Sequence, residues 1–258
     1  MDFYNQYVDY FVKKNYSNNS IGKQVKHLKA IMQISLDRGL HNCKEFKNKA
    51  FATLKEDTDS IYLTNEELQL FYDMDLSERP HIERTRDIFL VGCWTALRFS
   101  DYSRIKPDHI KTKGKNKFIE MFTQKTKEKV IIPIRPELNK ILKKYSYNLP
   151  RIYEQKLNFN IKVIAEELEI NEQIDTEITK GGLTVILKTP KYKLIKTHTA
   201  RRTGATLMYQ AKIPVLDIMK ITGHRKPESL LKYIKQSKEE TAEKLSSNPF
   251  FTGQKLRT

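Results

Sequence analysis

Residues 198–203 read H-T-A-R-R-T, and residues 222–235 read T-G-H-R-K-P-E-S-L-L-K-Y-I-K. A helical period places His198 and Arg201 on one face, one turn apart, so both can reach one phosphate. Arg202 points roughly 100° away around the same helix and suits a DNA-backbone or structural contact. Gly223 and His224 mark a turn that presents an imidazole at a helix end. Tyr233 follows His224 by nine residues and Arg201 by thirty-two. A tyrosine hydroxyl with cations held around it suits attack on a phosphodiester. That chemistry needs a nucleophile, positive donors for the non-bridging oxygens, a proton acceptor, and an acid for the leaving 5′ oxygen.

The charge of the chain agrees. Its 258 residues hold 47 Lys and Arg against 31 Asp and Glu, a formal net charge of +16. Such an excess favours a polyanion, the phosphate backbone above all. Residues 188–235 carry twelve Lys and Arg against only Asp217 and Glu228, whereas residues 166–177 carry six acids and no base. The positive charge is thus concentrated on the segment that bears the motif. Two cysteines, Cys43 and Cys93, are too few for a disulfide framework or a Cys-rich zinc site. No signal peptide or membrane-length apolar run is present, so a soluble, reduced, cytoplasmic protein is expected, with neither metal nor cofactor.

Working outward, residues 88–97 are apolar all round and read as a buried helix that delivers Arg98 at its end. Two guanidinium forks clamp a phosphate better than lysines do. Asp101, three residues on, is placed to hold Arg98. Residues 118–123 and 130–134 read as a β-hairpin, with Pro133 arguing for an edge strand. Its tip offers Lys125, Lys127 and Lys129 as candidates for the acid. Thr64 and Glu67 form a capping box with Leu63 and Leu68 as its staple, marking the start of a domain. Residues 51–61 read as a linker.

Before them, Phe3, Tyr7, Tyr10 and Phe11 form one helical stripe, and Ile21, Val25, Leu28, Met32 and Leu36 a second, capped by Ser20 and stopped by Gly39. Lys23, Lys26 and Lys29 lie off that stripe, facing solvent or phosphate. Helices are expected near 136–146 and 157–168, with a weakly structured stretch over 175–194. Pro214 opens a helix that Gly223 closes, and Pro227 opens the one expected to carry Tyr233. The fold class is mostly α with a small antiparallel β-sheet.

T-A-L-R-F-S-D-Y (95–102), T-Q-K-T-K-E-K-V-I-I-P-I (123–134), H-T-A-R-R-T, G-H and Tyr233 occur in the order of the tyrosine recombinases, the phage-integrase family, which the chain resembles over residues 61–235. The wording, including A-R-R-T and the closing N-P-F-F, is most similar to integrases of Bacteroides-type mobile elements and phages. The resemblance implies that Arg98, Lys125, His198, Arg201, His224 and Tyr233 are catalytic, with Asp101 supporting. It selects Lys125 among the hairpin lysines, and leaves Lys23, Lys26, Lys29, Lys127, Lys129, Arg202, Arg225 and Lys226 as DNA contacts. It implies a partial helical core-binding domain (1–50), the linker, a catalytic recombinase domain (62–237), and a C-terminal tail (238–258) that docks on a neighbouring protomer. It further implies a bacterial, nucleoid-associated enzyme acting on double-stranded DNA as a homotetramer over two sites, with a DNA-bending accessory protein. A family core-binding domain has about four helices, so an N-terminal truncation is expected. Two other readings fit part of the pattern. One is a type IB topoisomerase-like enzyme. The other is a non-catalytic regulator in which residues 214–235 form a helix-turn-helix.

Overall fold

The computed structural model describes residues 1–56, 60–235, 238–247 and 249–252. In chain order the elements are α1 (Asp2–Lys13), α2 (Asn18–Asp37), α3 (Asn65–Asp73), α4 (Pro80–Thr95) and α5 (Phe99–Tyr102). A three-stranded sheet follows, β1 (Ile110–Lys113), β2 (Asn116–Phe122) and β3 (Lys129–Pro133). After α6 (Pro136–Lys144) and α7 (Glu154–Glu167) come the strands β4 (Gln173–Lys180) and β5 (Leu183–Pro190). The chain then runs through α8 (Lys191–Leu194), α9 (Thr197–Gln210), α10 (Val215–Thr222), α11 (Pro227–Leu231), α12 (Lys238–Ser246) and α13 (Pro249–Thr252). The fold is mostly helical with small antiparallel sheets. No helix among the described residues is long and apolar enough to cross a membrane. Two compact units form, residues 1–59 with 173–189, and residues 60–172 with 190–258.

The first unit is built on Tyr4, Ile21, Val25, Phe46 and Phe51, with Leu28, Met32 and Leu36 packed around them. The expected stripe of α2 therefore faces inward, but that of α1 is rotated. Tyr4 is buried and donates its hydroxyl to the Ala52 carbonyl (2.8 Å), while Phe3 and Tyr10 are exposed. Helix α2 starts earlier than Ser20. Ser17 is its N-cap and accepts the Ser20 amide, because only an extended residue outside the helix can turn its hydroxyl back to the first turn. Residues 51–56 are not a free linker. Asn19 and Glu56 exchange side-chain and backbone hydrogen bonds at 3.0 Å, and Phe51 lies in the core. Residues 57–59, where the linker expectation also falls, lie outside the described residues.

The stretch expected to be weakly structured is mostly the β4–β5 hairpin, which belongs to this first unit. Lys180 bridges Ser17, and the Gly181 amide donates to the Tyr16 carbonyl (3.3 Å). Gly181 and Gly182 both take positive φ, as a two-residue hairpin turn requires. That Gly-Gly pair between β-branched runs was the available signal.

In the second unit the capping box forms as read: Thr64 accepts the Glu67 amide, Glu67 accepts the Thr64 amide (2.8 Å), and Leu63 and Leu68 are buried. Helix α4 is buried nearly throughout. It lies so close to α9 that a Cβ built on Gly204 would stand 2.2 Å from the Cys93 carbonyl oxygen. A Gly→Ala change inside a helix ordinarily stabilises by about 1 kcal/mol. Here Gly204→Ala is expected to destabilise by about 1–3 kcal/mol, because two backbones must separate. Urea denaturation reads the sign, and a more stable variant refutes the close approach. Strand β3 is an edge strand in the order β1-β2-β3, with Pro133 opposite Phe118, in accord with the proline argument. Strand β1 was not foreseen.

Candidate functional site

The turn after α4 is tight. Ala96 takes left-handed φ as the helix cap, and Arg98 becomes the N-cap of α5 in extended conformation. This carries Arg98 to the mouth of a cavity of about 260 Å³, also lined by Lys125, His198, Arg201 and Tyr233. Five of the six residues expected to do chemistry thus meet in one place, although they come from four segments of the chain. A larger open cleft of about 530 Å³ adjoins it through Phe99, Ser100 and Glu154 and is flanked by Arg104, Lys106 and Arg151. It contains none of these five residues, so the smaller cavity is the chemical centre.

Helix α9 begins with His198 near its end and Arg201 one turn inward. Thr197 anchors that end, donating its backbone amide to the Asn158 side-chain oxygen (2.8 Å) and its hydroxyl to Glu154 (2.5 Å). Glu154 also lines the cavity and had not been singled out from the sequence. His198 has its pKa lowered, first by desolvation and then by Arg202, so it is neutral near pH 7 and able to accept a proton.

Arg201 is fully buried, and its two terminal nitrogens reach the carbonyls of Ala96 (2.9 Å) and Thr222 (3.0 Å). Burial and the repulsion of Arg98 lower its pKa to about 10, which still leaves it charged at neutral pH. Its Nε is buried without a hydrogen-bond partner, and so is one terminal nitrogen of Arg98. Orphan guanidinium donors on two cations beside one cavity match the non-bridging oxygens of a phosphodiester.

His224 stands behind Arg201 and does not line the cavity. Gly223, at φ +68°, ends α10, and the His224 amide closes back on Met219 (3.1 Å). A side chain at Gly223 would also crowd Thr123 of the hairpin. The Thr222 hydroxyl donates to Ile218 (2.7 Å) and so is free only to accept from His224 Nδ1 (2.7 Å). Nε2 then accepts from Arg201 (2.9 Å), which defines a neutral ring. Desolvation first, then Arg201 and Arg98, hold its pKa at about 3.

The stability of the unit therefore depends on pH. Unfolded His224 takes a proton near pH 6.5, but the folded ring does so only near 3. Its contribution is complete above about pH 6.5 and is lost as pH falls through that window, at up to about 1.4 kcal/mol per pH unit. Denaturation midpoints measured from pH 7 to 4 should fall more steeply for the native chain than for His224→Gln. Equal slopes would place the titration elsewhere.

Tyr233 does not ride on α11. That helix ends at Leu231, and Tyr233 sits in the following turn with its amide on the Leu230 carbonyl (2.7 Å). Its ring packs with Ala205, Ile218 and Leu230 and lies 5.2 Å from both the Arg201 guanidinium carbon and the His224 ring. From that turn Tyr233 lines the cavity together with both arginines.

Asp101 does not hold Arg98. Buried completely, it accepts the Gln124 amide (2.7 Å) and Arg104 (3.4 Å), because the hairpin folds over the start of α5. Among the lysines read as phosphate contacts, Lys29 donates to the Phe51 carbonyl (2.9 Å) and Lys129 pairs with Glu120 (2.7 Å), so each already has an internal partner. Arg225 pairs with Glu128 (2.7 Å). Lys23, Lys26, Lys125, Lys127 and Lys226 are exposed, and Arg202 is half-buried.

The chain is 22% identical over 252 residues to the probable integrase/recombinase of Acholeplasma phage L2, covering 89% of this chain and 75% of that protein. The fold is similar to that of XerH site-specific recombinase bound to its difH substrate in a post-cleavage complex, with TM-score 0.56 and 15% identity. That match covers 76% of this chain but spans only 55% of the XerH chain. The Tn1549 transposon integrase, in complex with circular intermediate DNA, is similar at TM-score 0.63 and 13% identity, over 93% of this chain and 82% of that one. Residues 62–240, which hold every element of the cavity, match the phage integrase family model, and the chain belongs to that family.

Proposed function

We propose that the protein is a site-specific DNA recombinase that cuts and rejoins double-stranded DNA through a 3′-phosphotyrosyl intermediate. The observation that carries this reading is the pair of buried orphan guanidinium donors, on Arg98 and Arg201, in the cavity that Tyr233 lines. In the proposed reaction the Tyr233 oxygen attacks phosphorus and His198 accepts its proton. Arg98 and Arg201 take up the charge on the non-bridging oxygens, while His224 fixes Arg201 from behind. Lys125 gives its proton to the departing 5′ oxygen. Attack by the partner strand's 5′ hydroxyl reverses these steps, and the ester conserves the bond energy, so the chemistry calls for neither metal nor ATP.

The same reading makes the first unit, with Lys23 and Lys26, part of a core-binding domain. It makes Lys127, Arg202 and Lys226 backbone contacts, and puts the enzyme in the bacterial cytoplasm at the nucleoid. A homotetramer over two DNA sites, assisted by a bending protein, follows the same logic, with the chain after residue 237 docking on a neighbour. Part of that tail, residues 253–258, lies outside the described residues. A regulator built on α10 and α11 would leave Arg98, Lys125 and His198 converging to no purpose. The test is incubation with a nicked suicide duplex and denaturing electrophoresis. A covalent adduct confined to one DNA sequence is expected. No adduct would leave a regulator, and an adduct with relaxation of any plasmid would leave a topoisomerase.

A further inference from the structure

The candidate acid, Lys125, sits at the tip of a hairpin closed on Thr123, whose hydroxyl accepts the Glu128 amide (3.1 Å) and meets the Thr126 hydroxyl (2.7 Å). The Thr123 amide donates to Glu128 (2.9 Å) and the Lys127 amide to Thr123 (3.1 Å). Lys127 is held at φ +56°, a left-handed conformation that a residue with a side chain adopts only under constraint. Two outside segments constrain the tip. On one side, Asp101 accepts the Gln124 amide. On the other, the turn after α10 takes hold of the next residues. The Thr126 hydroxyl donates to the Gly223 carbonyl (3.2 Å), and Arg225 donates to the Thr126 carbonyl (2.6 Å) and to the Glu128 carboxylate (2.7 Å). Lys125 is thereby flanked by a tie to α5 on one side and a tie to the helix end that carries His224 on the other.

We infer that Arg225 is a positioning residue: it latches the hairpin so that Lys125 stands over the departing 5′ oxygen. This rests on the proposed recombinase reading and on Lys125 as the acid. The side chains of Arg225 and Glu128 are 64% and 42% exposed, so their ion pair adds little to stability. What it fixes is the place of a long, flexible, exposed lysine. General acid catalysis depends on that place, since a displacement near 1 Å can cost about a hundredfold in rate. The guanidinium directs its rigid fork to one carboxylate and one carbonyl at once, a fixed geometry that a flexible lysine does not impose.

The experiment compares Arg225→Ala, Glu128→Gln and Lys125→Ala on two suicide duplexes, one ordinary and one with sulfur at the bridging 5′ position. A thiolate leaves without a proton, so sulfur bypasses only the acid. Arg225→Ala should cut the ordinary duplex roughly tenfold or more slowly, with unchanged binding and melting temperature. It should cut the sulfur duplex at the native rate. Glu128→Gln should show the same pattern more weakly, and Lys125→Ala more strongly. Equal slowing of Arg225→Ala on both duplexes, with Lys125→Ala rescued, would overturn the latch and leave the acid assignment standing. Weaker binding with a shallower salt dependence and an unchanged cleavage rate would make Arg225 a phosphate contact instead. No rescue of Lys125→Ala would remove the acid, and the latch with it.

Discussion

Tyr233→Phe retains DNA binding and forms no covalent adduct. The substitution removes one oxygen and nothing else. The phenyl ring keeps its packing against Ala205, Ile218 and Leu230 and its place beside the Arg201 guanidinium. Loss of a nucleophile with its surroundings intact is the largest single effect available in such a site, about 10⁴-fold or more. Single-turnover cleavage of the suicide duplex measures it, and mobility shift at the same protein concentration measures binding. Adduct at the native level would assign the nucleophile to another tyrosine, with Tyr209, in the same apolar cluster, the first to examine.

Arg201→Ala comes second in size and differs in kind. Arg201 is the largest fully buried side chain, and it serves the fold as well as the reaction. Its removal leaves the Ala96 and Thr222 carbonyls without a donor and frees His224 from the bond that orients it. On the transition-state side the loss corresponds to a strong oxyanion donor, about 3–4 kcal/mol, or about 10²–10³-fold in cleavage rate. Arg201→Lys keeps the charge but cannot span two carbonyls and a phosphate oxygen, so it should recover only part of the rate. Arg202→Ala should chiefly weaken binding, with a shallower dependence of affinity on salt than the native chain. A cleavage defect larger in the Arg202 variant than in the Arg201 variant would reverse the assignment of helix faces.

The catalytic half of the chain was easier to read than the first sixty residues, for physical reasons. A helix buried on all sides, such as α4, needs no knowledge of its neighbours to be recognised. The Thr64 capping box and the Gly223 stop are local, since each satisfies backbone groups within four residues. Arg98, Lys125, His198, Arg201 and Tyr233 are legible in the sequence, because the chemistry specifies residue types and the resemblance specifies order. Local pattern failed where a distant segment decides. Tyr4 rather than Phe3 is buried because residues 51–52 arrive to cover it. Asp101 turns from Arg98 because the hairpin offers it an amide twenty-three residues away. The end of α11 before Tyr233 carries no proline or glycine to announce it.

The chain visits its first compact unit twice, over residues 1–59 and again over residues 173–189. Synthesis runs from the amino end, so the two long helices leave the ribosome while the ribbon that pairs with Ser17 is still untranslated. Until residue 189 emerges, those helices wait with a side uncovered, and the intervening hundred or so residues must close a loop against chain entropy. The N-terminal unit, the first to be begun, thus cannot be completed until residues 60–172 of the catalytic unit have been made. A protease cut near residue 181 would fall within that first unit, in a ribbon whose two ends continue along the chain into the catalytic unit.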